Sequence, residues 1–333
     1  MNYIGSKLKL SSWIKEEILK VAGNNLNNKI FCDIFAGTGI LGRTFKKDVK
    51  RVIANDLEYY SFVLNRNYIG NHKPIKDKES LIDELNDLRE EEGFIYKYYC
   101  LGGGSKRQYF SDENGKKIDA LRQALQKWKE SESIDEDTYF FLLASLLESA
   151  DKVANTASVY GAYLKYLKKS AQKKMVLKGA DFIENENTHI VFKKDSNKLI
   201  KEIKGDILYL DPPYNHRQYG ANYHLLNTIA EYKEFKPRGK SGLREYVCSN
   251  YCKKGEVKNS FTDLIKNAEF RYIFLSYNNE GLMKQEDIRN IMQKYGRYDL
   301  VTKEYQRFKA DKTNARNHKA DKTCEFLHIL VKE

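Results

Sequence analysis

The sequence predicts an α/β protein in which a mainly parallel sheet is interrupted by a mainly helical insert. Short apolar runs rich in β-branched residues end in glycine or acidic residues, and helical patterns follow them, which predicts the sheet. Between residues 70 and 187 the pattern changes to charged helical stretches and loops, which predicts the insert. We therefore expect a sheet domain from residues 1–69 and 188–333 and an inserted domain from residues 70–187.

Two strand-turn-helix units begin the sheet domain. Residues 29–39, KIFCDIFAGTG, form a β-favouring run that ends in a glycine turn, and residues 40–47 continue as a helix. A second apolar run, residues 51–56, ends in an acid, and residues 57–68 carry apolar side chains at helical spacing. Because the two units follow each other closely, we expect parallel strands joined by right-handed crossovers.

The insert and the later strands follow from the same periodicities. Within the insert, the clearest helical patterns cover residues 117–129 and 138–152. The sheet should resume with three short apolar runs, at residues 189–193, 206–210 and 271–277. Two late runs should form an antiparallel pair at the sheet edge, at residues 298–305 and 325–332.

Composition limits the class of protein and of partner. Hydrophobic residues make up 41% and charged residues 31%, which is typical of a globular protein rather than a disordered one. The formal net charge of +12 favours a polyanionic partner. The chain starts without an apolar signal-like region and has no long uncharged apolar run, so we expect a cytoplasmic protein. The five cysteines form no C-x-x-C pair, which favours free thiols, and we expect no metal site.

The turn after the first strand indicates a nucleotide-like ligand. Gly37 and Gly39 allow close approach to the backbone at the carboxyl end of a parallel strand. Gly42 completes a G-x-G-x-x-G pattern, so NAD and FAD must be considered. Asp56 stands 17 residues after Gly39, where an acid can bond the ribose hydroxyls, although it could instead cap the next helix. An adenosine-type ligand is therefore predicted, and its chemistry is left open.

The motif Asp211-Pro212-Pro213-Tyr214 directly follows the predicted strand at residues 206–210. Adjacent prolines remove two amide donors and leave carbonyl oxygens as acceptors. An exocyclic amine of a base is a poor nucleophile because its lone pair is delocalised into the ring. Asp211 and a proline carbonyl can accept its two hydrogens and direct the lone pair at a methyl group, without a covalent intermediate. Tyr214 offers an aromatic face for an extruded base.

The chain resembles the Dam-like adenine-N6 DNA methyltransferases, in which the cofactor motif precedes the target-recognition region and DPPY follows it. Four elements stand in the family's order: YIGSK at residues 3–7, DIFAGTG at 33–39, Asn55-Asp56, and DPPY at 211–214. The resemblance implies a Rossmann-like S-adenosylmethionine-dependent methyltransferase sheet, here the catalytic domain, and an inserted DNA-recognition domain. It also implies that duplex DNA is the partner and that the target base is flipped out of the duplex. A cognate restriction endonuclease is compatible with the resemblance.

The resemblance further implies which residues contact S-adenosyl-L-methionine. It assigns Phe35, Gly37 and Gly39 to the methionine part, Asp56 to the ribose, and Asp195 to the surroundings of the adenine. Asp195 could equally be a helix N-cap, because DSN is typical of caps and turns. The full predicted set is Tyr3, Lys7, Asp33, Phe35, Gly37, Gly39, Asp56 and Asp195.

Two basic stretches are candidates for DNA contact. Tyrosines and lysines alternate between residues 160 and 169, although a helix with a solvated basic face is the plain alternative. Residues 306–322 should form a long basic loop between two strands. Arg107 could contact DNA or pack at a helix start. The lysines and arginines expected at DNA in the two stretches are Lys165, Lys168, Lys169, Arg307, Lys309, Lys312, Arg316, Lys319 and Lys322.

Other functions remain open to different degrees. Methylation of an RNA base amine, or of cytosine N4 in DNA, would use the same chemistry. A nucleotide-binding protein that has lost catalysis would bind cofactor without turnover. Cytosine C5 methylation needs a cysteine nucleophile, typically after proline, and none of the four prolines precedes a cysteine. A dehydrogenase is disfavoured because no later segment of the sequence supplies a set of residues for hydride transfer.

Overall fold

The structure is a computed structural model, and it describes residues 6–306 and 322–332. Of residues 305, 306, 322 and 323 only the backbone is described. The helices in the described part, numbered along the chain, are α1 (Ser11–Ala22), α2 (Ile40–Phe45), α3 (Tyr59–Asn65), α4 (Lys78–Asp87), α5 (Phe94–Tyr99), α6 (Asp112–Glu130), α7 (Glu136–Val153), α8 (Ser196–Leu199), α9 (Tyr219–Asn222), α10 (His224–Glu231), α11 (Val257–Asn267) and α12 (Gln285–Met292).

Seven strands form a single sheet in the described residues. They are β1 (Ile30–Asp33), β2 (Arg51–Asn55), β3 (Ile190–Phe192), β4 (Lys204–Leu210), β5 (Glu269–Asn278), β6 (Arg297–Gln306) and β7 (Lys322–Val331). Their order is β3-β2-β1-β4-β5-β7-β6, and the first five are parallel. The α/β prediction is confirmed, and so is the antiparallel late pair. It is β7, however, that pairs with β5, which leaves β6 as the outer strand.

The described residues divide into two compact units. The sheet unit takes the described part of Gly5–Leu57, Asn187–Gln218 and Cys248–Glu333. Its strands β4 and β5 are buried from Ile207 and Ile273 onward, and the apolar side chains on one face of these strands pack against α11 and α12. Parallel strands buried in this way read as nearly continuous apolar runs, which is why the sequence revealed them.

The helical unit takes the described part of Glu58–Glu186 and Tyr219–Val247. It therefore begins before residue 70 and includes a later segment, unlike the insert expected at residues 70–187. The reason is packing: the Phe62 ring in α3 stacks edge-on against Phe140 in α7, and the Tyr60 amide donates to Asn227 in α10. A helical period identifies α3 and α10 as helices but does not reveal which core receives their apolar faces. No helix within the described ranges has the length and apolar character needed to cross a membrane.

Candidate active site

Three neighbouring strands bring the predicted motifs to one edge of the sheet. Asp33 pairs in register with Ala54 of β2 and with Tyr209 of β4. The carboxyl ends of β1, β2 and β4 therefore lie side by side, and the glycine turn, Asp56 and Asp211 follow directly after them. This edge is where open α/β sheets bind ligands.

The turn after β1 is held by its own backbone and by the end of β2. The Ala36 amide donates to the Asn55 carbonyl at 2.8 Å, and the Gly37 amide donates to Oδ2 of Asp56 at 2.8 Å. Gly37 and Gly39 have φ angles of +52° and +77°, a region that favours glycine. Asp56 is partly exposed and thus has a structural contact as well as a place beside the turn. It is not the cap of α3, whose N-cap residue is Glu58.

Asn55 joins three segments below this edge, a role that the sequence did not indicate. Its side-chain amide donates to the carbonyls of Ile34 at 3.0 Å and of Lys194 at 3.1 Å, and its Oδ1 accepts from the Lys194 amide at 2.9 Å. The side chain is almost fully buried. Asn55 therefore fixes the loops after β1 and β3 relative to β2, which positions Asp56.

Asp33 is buried beneath the turn and is only 2% exposed. Burial raises the pKa of its carboxyl well above the usual range, the negative charges of Asp211 and Asp56 raise it further, and a hydrogen bond from the Phe35 amide opposes the rise. Asp33 therefore supports the turn from below. The direct cofactor contact expected for it stays a prediction.

Asp211 at the end of β4 is paired with a lysine from the start of the chain. Lys7 Nζ lies 2.9 Å from Oδ1 of Asp211 and 3.0 Å from Oε1 of Glu325 in β7. The side chains of Lys7, Asp211 and Glu325 are 8%, 17% and 2% exposed, so the three charges are largely shielded from water. The expectation for Lys7 was a cofactor contact, and its pairing with Asp211 is an addition that only the structure supplies.

The pKa values of Lys7 and Asp211 depend on each other and on the charge of Glu325. Burial raises the pKa of Asp211 to about 6, Lys7 opposes the rise, and Glu325 adds to it. Burial acts to lower the pKa of Lys7, but the two carboxylates outweigh burial and hold this pKa well above its ordinary value. Sequence reasoning missed Glu325. A lone acid inside the apolar run of β7 was the available signal, because a buried carboxylate needs a partner.

The rest of the DPPY motif is anchored within the sheet unit. The carbonyl of Tyr214 accepts from the Leu282 amide at 3.0 Å. Its ring meets Tyr277 edge-on, with 6.4 Å between ring centroids, and is only partly buried. Pro212 is buried and Pro213 is partly exposed. The backbone of Tyr214 is thus held in place, while part of its side chain stays accessible.

Asp195 follows β3 and Phe35 follows β1, so both lie at the same edge of the sheet. Asp195 caps α8, since its carboxylate accepts from the amides of Asn197 at 3.0 Å and Lys198 at 3.1 Å. The cap alternative is therefore observed, and the predicted contact with the cofactor's adenine stays a prediction. The Phe35 ring packs edge-on against Tyr251, whose hydroxyl donates to Asn197 at 2.9 Å. This chain of contacts links the turn to α8.

The predicted DNA contacts in the helical unit divide into two kinds. The Arg107 guanidinium donates to the carbonyls of Tyr98, Gly239 and Lys240 at 3.0–3.2 Å. It therefore holds backbone of its own unit together, which favours the packing alternative over DNA contact. Similarly, Lys168 Nζ donates to the Thr156 carbonyl at 2.7 Å.

The other basic residues of this stretch face water. Lys165 and Lys169 are exposed, and the side chain of Tyr166 between them is 75% exposed. Residues 160–169 form turns and bends rather than a helix, so the amphipathic-helix alternative is wrong. Several predicted site residues lie outside the described residues, namely Tyr3, Arg307, Lys309, Lys312, Arg316 and Lys319, and for Lys322 only the backbone is described.

Comparison with known proteins assigns the family. The model of the D12 class N6 adenine-specific DNA methyltransferases matches residues 3–291. The chain belongs to this family. It is 64% identical over 332 residues to the type II methyltransferase M.NlaIII of Neisseria lactamica, covering 100% of this chain and 99% of that protein. It is 42% identical over 315 residues to M.CviAII of Paramecium bursaria Chlorella virus 1, covering 93% of each. It also spans 53% of M.FokI of Planomicrobium okeanokoites, at 38% identity.

Family membership confirms the predicted enzyme class. This methyltransferase is adenine-specific and acts on the N6 amine in DNA, within the restriction-modification context of its type II relatives. The RNA-base and cytosine-N4 alternatives are not the family's activity. S-adenosyl-L-methionine is the methyl donor, as the family resemblance implied, so the G-x-G-x-x-G pattern does not indicate NAD or FAD.

Proposed function

We propose that Asp211 and the carbonyls of Pro212 and Pro213 form the catalytic centre of this adenine-N6 DNA methyltransferase. The observation that carries the proposal is the position of Asp211. Its carboxylate lies at the end of β4, beside the strand that carries the glycine turn, and is partly exposed. A carboxylate placed there can accept one amine hydrogen, while a proline carbonyl accepts the other.

The residues around the turn fit the cofactor. Gly37 and Gly39 have no Cβ and adopt left-handed conformations, so a ligand can approach the backbone closely. The negative charges of Asp56 and Asp211 both act on Asp33 at this edge, and these two carboxylates suit a ligand with positive charges. We propose that Asp56 holds the ribose and that Phe35 and the turn hold the methionine part. S-adenosyl-L-methionine supplies an electrophilic methyl group on a sulfonium when it is bound.

The chain's own groups then handle the amine. With a pKa of about 6, Asp211 is mainly ionised at neutral pH and able to accept a hydrogen bond from N6. Two acceptors make the nitrogen more tetrahedral, which frees its lone pair for attack. As the nitrogen gains a methyl group it must lose one proton, which Asp211 can receive. Tyr214, with its partly accessible ring, would stack on adenine once the base is flipped out of the duplex.

We further propose that the helical unit contributes DNA recognition. The exposed Lys165, Tyr166 and Lys169 offer two cations and a ring suited to phosphates and bases. The basic residues predicted between 306 and 322 stay a second expected DNA contact. Because the relatives carry type II names, we propose that a cognate endonuclease shares the recognition sequence and that the enzyme works in the cytoplasm, where its DNA substrate lies.

Expression in a host that lacks DNA methylation tests these assignments. Sequencing for modified bases should reveal N6-methyladenine at one short sequence with the wild-type chain and none with Asp211→Ala. Asp299→Asn, which alters an exposed acid on β6, serves as the control and should methylate like wild type. Methylation by Asp211→Ala, shown by calorimetry to bind cofactor, would exclude Asp211 from the catalytic centre.

A further inference from the structure

Glu325 occupies an unusual place for an acid. It lies in the middle of β7, paired with Asn278 of β5 on one side and with Lys303 of β6 on the other. Its side chain is 2% exposed, and the neighbouring strand positions are apolar. A carboxylate buried to this extent is costly unless a cation balances it. Here the cation is Lys7, which already contacts Asp211.

The two contacts of Lys7 have opposite consequences for Asp211. A lysine paired with Asp211 alone would neutralise the carboxylate's negative charge and make the carboxylate a weaker hydrogen-bond acceptor. Glu325 shares the same ammonium group at 3.0 Å, so the three side chains together carry a net charge of −1 rather than 0. Asp211 therefore keeps more of its accepting strength while its orientation stays fixed.

Geometry supports the same role. Lysine is a flexible side chain whose ammonium group has three donors and no preferred plane. Lys7 begins a short 3₁₀ segment, whereas Glu325 is part of a strand with neighbours on both sides. Glu325 thus gives Lys7 Nζ a rigid second anchor. Through this anchor, the contact of Lys7 Nζ with Oδ1 of Asp211 at 2.9 Å limits the orientations open to the Asp211 carboxylate.

We propose that Glu325 is a positioning residue for methyl transfer, which acts through Lys7 to keep Asp211 oriented and strongly accepting. This inference rests on the proposed role of Asp211. It assigns a function to the last strand of the sheet, 114 positions after Asp211, outside the motifs that the sequence revealed.

The decisive variant is Glu325→Gln, which keeps the size of the side chain and removes its charge. Single-turnover methylation of a duplex should fall about tenfold to a hundredfold, as is typical when a supporting partner of an active group is removed. Affinities for S-adenosylmethionine and for DNA should be unchanged. Glu304→Gln on β6, an exposed acid opposite Cys324, is the matched control and should keep the wild-type rate.

The pH profile separates this role from a merely structural one. The titratable groups that face Asp211 are Lys7, Glu325, Asp33, Tyr209 and Tyr214. Glu325 raises the pKa of Asp211, so its removal should move the acidic limb of the rate to lower pH while the plateau falls. A loosened fold would lower the plateau without this movement. An unchanged plateau and limb would overturn the proposal.

Two further variants guard against ambiguous results. In a Lys7→Met background, Glu325→Gln should have little further effect, and fully additive losses would contradict action through Lys7. If Glu325→Gln does not fold, Glu325→Asp retains the charge but withdraws it from Lys7, and a wild-type rate and limb would then refute the inference. Asp211→Asn tests the proposed function itself, and an active Asp211→Asn would contradict the catalytic role of Asp211. If Asp211→Asn is inactive and Glu325→Gln behaves like wild type, only the positioning role of Glu325 is refuted.

Discussion

At the scale of single residues, the three acids of the sheet edge differ in what surrounds them. Asp33 is sealed beneath the turn, Asp56 is partly exposed and bonded to Gly37, and Asp211 faces Lys7. Environment decides what a carboxylate does, because burial and neighbouring charges set its protonation state. We therefore expect Asp33 to support the turn, Asp56 to bind and Asp211 to take part in the reaction.

Asp56→Ala should weaken S-adenosylmethionine binding and leave DNA affinity largely intact. The variant removes the proposed acceptor of the ribose and also the bond from the Gly37 amide. Asp56→Asn keeps an acceptor for that amide and should therefore lose less affinity than Asp56→Ala. Calorimetric titration of each folded variant with the cofactor measures both effects. Equal affinity of Asp56→Ala and wild type would remove Asp56 from the binding site.

The pH dependence of methyl transfer should report Asp211. Its pKa is raised to about 6, and the reaction needs the ionised form, so the single-turnover rate should rise with pH through about 6 and fall as pH drops below it. Asp211→Asn should reduce the plateau rate at high pH by a factor of about 10²–10³ and abolish the acidic limb of the pH–rate profile. A limb that persists unchanged in a measurably active Asp211→Asn would belong to another group.

Tyr214 should act through its ring rather than its hydroxyl. Tyr214→Phe keeps the stacking surface and should retain most activity, whereas Tyr214→Ala removes stacking worth about 1–3 kcal/mol per base. Fluorescence of 2-aminopurine placed at the target position reports base extrusion directly, and it should weaken only with alanine. Equal losses in both variants would instead point to the hydroxyl.

At the scale of elements, the irregular stretch of residues 160–169 presents its cations in two ways. Lys168 is bonded to the Thr156 carbonyl, and burial lowers its pKa, whereas Lys165 and Lys169 extend into solvent beside Tyr166. The same chemical group therefore serves structure in one case and is accessible to a partner in the others.

Lys165→Ala combined with Lys169→Ala should lower DNA affinity and flatten its dependence on salt. With fewer phosphate contacts, binding releases fewer counterions. The slope of log affinity against log salt concentration should therefore decrease by about one for each lysine that contacts DNA. Fluorescence anisotropy across a salt series measures this. Arg107→Ala is the contrasting variant, because it should lower thermal stability without changing the slope. An unaltered slope in the double lysine variant would return the stretch to ordinary solvated surface.

At the scale of the whole molecule, the sheet unit is assembled from three separate parts of the chain. Lys7, Asp211 and Glu325 come one from each part, and the strand order brings them together. The predicted cofactor residues around β1 and β2 belong to the first part. Binding a ligand at the edge should therefore stabilise an arrangement that depends on all three parts of the sheet unit.

Saturating S-adenosylmethionine should raise the unfolding temperature of the full chain. At about 100 times its Kd, a ligand specific for the native state adds about 2.7 kcal/mol, which corresponds to a rise of several degrees. Differential scanning fluorimetry measures the rise, and Asp56→Ala should show a smaller one at the same concentration. NAD is the control ligand and should have little effect; stabilisation by NAD equal to that by S-adenosylmethionine would contradict the cofactor assignment.

Local sequence determined the strands, the glycine turn, the acid after β2 and the DPPY motif, because these depend on residues only a few positions apart. Apolar periods and turn residues reveal strand ends, and parallel strands bring their carboxyl ends to one edge. Tertiary structure alone decided that Lys7 joins Asp211 to Glu325, that α3 and α10 pack with α7, and that Arg107 holds backbone carbonyls. These contacts join positions distant along the chain, and no local pattern records which distant group will balance a buried charge or cover an apolar face.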